Sequence, residues 1–185
     1  MPGAFKEFEN LPDPFVVLFL ADPKQYVIEN LELMRNFVHE KKMFGIYITV
    51  NRPYGSLVQL LKKEKIDTSK IFFIDLITST LSNAPERKEN CIFMGSASNL
   101  TDLSLAISEA VEASPETKKF IFLDSLSTML IYNEAGTLSK FSHFLTGRLR
   151  ELKVSGVLIS MDTETDRKLT TTLSQFCDRV VRRGV

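Results

Sequence analysis

Five short runs that are apolar at nearly every position, separated by stretches of helical period, constrain what this chain can fold into more than any other feature. They are "FVVLFL" at 15–20, "GIYITV" at 45–50, "IFFID" at 71–75, "FIFLD" at 120–124 and "GVLISM" at 156–161. Runs without alternation read as strands buried on both faces, the habit of a parallel sheet. Between them, Val27, Leu31, Met34 and Val38 repeat at three-to-four spacing, as do Leu57, Leu60 and Leu61 after Pro53. Leu100, Leu103, Ile107 and Val111 form a third stripe with Asn99 and Asp102 as its N-terminal cap pair, and Leu138, Phe141, Leu145, Leu149 and Leu152 a fourth. Parallel neighbours need crossover connections, so this alternation predicts a three-layer α/β domain: a mostly parallel sheet of about five or more strands between helices. The domain spans 15–185 behind a lead-in at 1–14. The segment 76–90 breaks the pattern, and "CIFMG" just after it suggests an extra short strand.

The 23 basic and 23 acidic residues cancel, which offers no electrostatic reason to expect nucleic acid or an anionic membrane as partner. Arg179, Arg182 and Arg183 near the C-terminus read as a solvated chain end. No apolar run approaches the ~20 residues of a membrane span, and the lead-in has no signal-peptide core, so a cytoplasmic location is expected. Cys91 and Cys177 lie far apart and read as reduced, buried thiols; His39 and His143 have no ligand cluster at metal spacing. Phe5, Phe8 and Leu11 are expected to cover an edge of their own domain, with docking onto a neighbouring copy as the alternative.

Open α/β sheets carry their ligand sites at the carboxyl ends of the strands. The residues that leave the strands are Ala21 to Gln25, Asn51 and Arg52, Asp75 to Thr78, Asp124 to Thr128, and Asp162 to Glu164. The first exit, "ADPKQY", joins strand to helix with no glycine; there is none between Gly3 and Gly45.

"KKFIFLDSLSTMLIYN" resembles the Walker B strand of the RecA superfamily, specifically of KaiC-like proteins, with Asp124 at the strand's end followed by Ser125. "FGIYITVNRPYGSLVQLLKKEKIDTSKIFFID" and "KFSHFLTGRLRELKVSGVLISMD" followed by "LSQFCDRVVR" are similar to that family in order and spacing. The resemblance covers roughly 15–183 and implies a RecA-like domain closing with a short C-terminal hairpin. In an active member the aspartate orients Mg²⁺ beside ATP. The catalytic parts do not carry over. A phosphate loop needs glycines for backbone approach, a lysine and a hydroxyl. Laid on at equal length, those positions fall near Leu20, Gln25, Tyr26 and Val27. The family's acid after the second strand corresponds to Asn51 and Arg52, and neither an amide nor a guanidinium serves as a general base at neutral pH.

The expectation is therefore a non-catalytic RecA/KaiC-like domain, a pseudo-ATPase that uses neither ATP nor Mg²⁺ and acts in regulation or assembly by binding a protein partner or itself. Asp124 is then a vestigial site held by hydrogen bonds from backbone N–H groups or from Ser125 and Ser127. Asp75 is read likewise, Tyr26 as filling nucleotide space, and Tyr132 and Asn133 as shaping the turn before the fourth helix. One alternative is a nucleotide- or anion-responsive protein, with Lys24 and Arg52 as anion contacts at a helix N-terminus. Another is a receiver-like signalling domain built on Asp22, Asp75 and Asp124.

Overall fold

The computed structural model describes residues 6–81, 88–163 and 167–182. Phe5, Glu164 and Arg183 lie outside them, as does part of the 76–90 segment. All the apolar runs become strands, and seven strands pair in parallel: β1 Val16–Ala21, β2 Phe44–Thr49, β3 Ile71–Asp75, β4 Cys91–Phe93, β5 Lys119–Asp124, β6 Ser155–Met161 and β7 Arg179–Arg182. Their spatial order is β4-β3-β2-β5-β6-β1-β7. The connecting helices are α1 Tyr26–Arg35, extended by a wider turn to Glu40, then α2 Tyr54–Lys63, α3 Thr78–Leu81, α4 Leu100–Ala113, α5 Leu126–Met129, α6 Ala135–Glu151 and α7 Arg167–Leu173.

Alternate strand residues feed two cores. Val16, Leu18 and Leu20 pack with α4, α6 and α7, while Val17, Phe19 and Ala21 pack with α1 and α2. The crossovers β1 to β2 and β2 to β3 run over the α1/α2 face toward β4; those from β4 to β5, β6 and β7 return over the other face, as a single hand of crossover requires. The reversal separates β1 from β6 and β2 from β5, which are the switch points where such sheets leave crevices.

Among the described residues the expected closing hairpin is absent. β7 pairs in parallel with β1, which lies between it and β6, because α7 carries the chain over β1 to the far edge. Nor is the chain end simply solvated: Val181 is buried, Arg182 pairs with Asp162 at 3.0 Å, and Arg179 Nη1 donates to the carbonyls of Glu7 and Glu9. Those carbonyls belong to the lead-in, whose Phe8 packs edge-on against Phe15 and Phe37. Leu11 is half-buried beside them. The lead-in thus covers its own domain.

A second departure lies in α1. Val27, read as part of the apolar stripe, is 40% exposed, whereas Glu29, Asn30, Leu33 and Met34 are buried. The helix is rotated to turn two polar residues inward, toward the polar cluster at the strand ends.

Candidate functional site at the carboxyl ends of the strands

The loop after β1 is closed by its own carboxylates. Asp22 N donates to Glu29 Oε2 at 3.2 Å, Lys24 N to Asp22 Oδ1 at 2.8 Å, and Gln25 N to the Asp22 carbonyl at 2.9 Å. An aspartate folding back on the N–H two residues on is an ordinary turn device, and Pro23 fixes the dihedral between them. These N–H groups therefore face the protein's own acids. The Lys24 side chain is exposed.

After β2, Thr49 Oγ1 donates to the Arg52 carbonyl at 2.6 Å and fixes the sharp exit "VNRP". That turn aims Asn51 back over the sheet. Its Nδ2 reaches Asp124 Oδ1 at 3.0 Å, Ser125 Oγ at 3.4 Å and the Tyr26 hydroxyl, and its Oδ1 accepts from Thr128 Oγ1. One amide thus joins the starts of α1 and α5 to the end of β5. From below, Tyr47 Oη donates to Asp124 Oδ2 at 2.5 Å. The partners of Asp124 are therefore Tyr47 and Asn51, not the serines. Ser125 Oγ instead accepts from Thr128 N at 3.3 Å and starts α5, and Ser127 Oγ accepts from Met161 N at 2.7 Å. The Asp124–Ser125 peptide is cis.

Asp124 is 4% exposed, and this burial pushes its carboxyl up to about 8. Burial likewise raises the Tyr47 phenol, against the opposing pull of the nearby Arg52 charge and of Asn30. The pair is a phenol hydrogen-bonded to a carboxyl group whose protonated form burial favours.

Asp75 plays a different part. It accepts from the backbone N–H groups of Tyr54, Ile77 and Thr78 and from Thr78 Oγ1, tying α2 and α3 to the end of β3. Asp22 and Asp75 leave β1 and β3, four strand positions apart, or about 19 Å at ordinary strand spacing. The three strand-end aspartates do not converge. Asn133 Nδ2 donates to the carbonyls of Ala97 and Met129, both at 3.0 Å, and shapes the turn before α6 as expected.

Arg52 lines a small cavity with Asp124, Tyr47, Asn30 and Tyr26; Lys24 does not. The structure brings Asp124, Ser125, Thr128, Asn51, Arg52 and Tyr26 to one place, all singled out in the sequence; Tyr47, Asn30 and Glu29 were missed. A tyrosine inside a strand expected to be buried on both faces, needing a partner for its hydroxyl, was the available signal for Tyr47. Among the described residues no group of three or more His, Cys, Asp or Glu could hold a metal ion, and no helix is long and apolar enough to cross a membrane. His39 Nε2 accepts from Asp67 N at 3.3 Å, and His143 stacks on Phe176. Cys91 and Cys177 are free thiols; Cys91 is buried as expected, Cys177 only half-buried, and desolvation pushes both up to about 12.

A parallel seven-stranded sheet between two helical layers is an α/β fold of the RecA type. The fold is similar to that of the KaiC-like protein PH0186 from the hyperthermophilic archaeon Pyrococcus horikoshii OT3, with a TM-score of 0.69 and 15% identity over 98% of this chain and 77% of that one. Residues 34–182 match the Family of unknown function (DUF7504), and the chain belongs to that family. No curated protein matches it.

Proposed function

We propose that this protein is a non-catalytic RecA-type domain, a cytoplasmic pseudo-ATPase that works in regulation or assembly through protein contacts. The observation that carries the reading is the occupied loop after β1. The N–H groups of Asp22 and Lys24, at the position where the family resemblance puts phosphates, donate to Glu29 and Asp22, so an incoming phosphate would meet two carboxylates there. The rest of the site supports the same reading. Asp124 is engaged by Tyr47 and Asn51, and the position of the water-activating acid holds Asn51 and Arg52. Tyr26, hydrogen-bonded to Asn51, stands over the end of β5.

Calorimetric titration with MgATP and MgADP tests this directly. No binding heat and no rise in melting temperature are expected at millimolar nucleotide; micromolar affinity overturns the proposal. The anion-responsive alternative is addressed by the same titration with inorganic phosphate, using Lys24→Ala and Arg52→Ala as controls.

A further inference from the structure

Between α1 and α2, at the carboxyl ends of β2 and β5, lies a cavity of about 60 Å³. Its deep end is polar, formed by Asn30, Tyr47 and Asp124, which are 6%, 2% and 4% exposed. Toward solvent the walls are aliphatic: Leu31 on one helix and Leu60 on the other, both half-buried. The volume is roughly that of two water molecules at about 30 Å³ each, or of an alkylamine head of two or three heavy atoms.

The deep end is rich in acceptors. Asn30 Oδ1 is buried and has no hydrogen-bond partner among the described residues, and its side chain lies near enough to Tyr47 to pull the phenol down against the effect of burial. The Tyr47 proton is already given to Asp124. Asn30 with its orphaned carbonyl, Tyr47 with a phenol lone pair to spare and Asp124 with its carboxyl group thus line one small space, and a buried unpaired acceptor costs about 1–3 kcal/mol until a donor reaches it. A primary ammonium offers three donors on an apolar stem, which matches three acceptors beneath aliphatic walls.

We infer that this cavity binds the terminal ammonium group of an aliphatic primary amine, with Asn30 Oδ1, Tyr47 Oη and the Asp124 carboxylate as its acceptors and Leu31 and Leu60 flanking the stem. The chemistry is shared by a free short amine and by a lysine side chain inserted by a protein partner. The inference rests on the cavity and is independent of whether the domain binds nucleotide.

Binding carries a proton balance. The titratable and charged groups around Asp124 are Tyr47 from β2, Tyr26 from α1 and Arg52 from the β2 exit; Glu29 on α1 is engaged by Asp22 N. Because burial holds the Asp124 carboxyl protonated at neutral pH, an ammonium ion entering the site displaces that proton to solvent, one H⁺ per amine bound. The nearby Arg52 guanidinium opposes the entering cation.

The test is a ¹H–¹⁵N NMR titration of the full chain with ethylammonium and, separately, with an acetylated, amidated tripeptide carrying one central lysine, at pH 6, 7, 8 and 9. Saturable shifts of the Asn30 side-chain amide are expected, with affinity rising about tenfold per pH unit up to pH 8 and levelling above it. Arg52→Ala should tighten binding. Asn30→Leu, close in volume, should abolish it while keeping the native spectrum, and Asp124→Asn should remove the pH dependence. Binding of ethylammonium alone assigns the site to a small amine; binding of the peptide as well assigns it to a partner's lysine. Saturation by neither ligand, or equal binding in Asn30→Leu, overturns the proposal and leaves a cavity filled by water only.

Discussion

At the scale of single residues, Asp124 sets the pH response. Its ordinary value of 3.8 is raised to about 8 by burial, so between those values the folded chain holds a proton that the unfolded chain has lost. Stability from this group is fully present below pH 3.8 and falls as pH rises toward 8, with a slope of at most about 1.4 kcal/mol per pH unit. Asp124→Asn keeps the shape and a polar partner for Tyr47 and Asn51 but has no proton to lose. It should be less stable than, or equal to, the parent near pH 5 and more stable at pH 8.5, measured by urea denaturation at both; parallel pH profiles for the two proteins would contradict this. Tyr47→Phe removes the donor to Asp124 Oδ2 while leaving the carboxyl buried, and should cost about 1–3 kcal/mol in the same assay at pH 7.

At the scale of elements, strands and helices pack closely where glycine permits it. A Cβ on Gly45 in β2 would lie 2.9 Å from Phe120 Cζ on neighbouring β5, and that ring is itself held against Phe37. Gly45→Ala should therefore destabilise by about 1–3 kcal/mol. Gly147, exposed in α6 one turn before its end, has open space within 4 Å of where a methyl would stand and gives the opposite sign: Gly147→Ala should stabilise by about 0.5–1 kcal/mol. Thermal melts of the two variants side by side check both. The elements themselves were legible because a strand buried on both faces has to be written as an unbroken apolar run, and each of the five runs delivered one. The neighbour of β7 was not legible, because its pairing with β1 joins residues some 160 positions apart and nothing in "DRVVRR" encodes that strand over a hairpin partner. The site was legible by position, from the residues at each strand's carboxyl end, but not by wiring. Glu29 and Asn30 face inward because the loop and Tyr47 need polar partners, a tertiary demand that overrode the apolar stripe through Val27.

At the scale of the whole molecule, a parallel sheet is stable only when both faces are covered. Here one face carries α4, α6 and α7, and the other carries α1 and α2. The lead-in completes that thinner layer. Phe8, 2% exposed, sits with ring centroids 5.4 Å from Phe37 and 6.2 Å from Phe15, and its carbonyl accepts from Lys41 Nζ at 3.4 Å. Arg179 on the edge strand β7 grips the carbonyls of Glu7 and Glu9, so the two ends of the described chain hold each other. Loss of one buried phenylalanine ring in such a cluster costs about 3–5 kcal/mol, and at this chain size each kcal/mol lowers Tm by about 2–4 °C. Phe8→Ala should therefore lower Tm by about 6–20 °C. Deleting residues 1–11 should lower it at least as far and speed hydrogen exchange in β1 and β7 more than in β2 and β5, because the deletion uncovers one edge of the sheet and leaves its centre packed. A Tm within about 2 °C of the parent for the deletion would mean that the lead-in lies on the domain without supporting it, and equal exchange across all four strands would mean that the sheet opens as one unit.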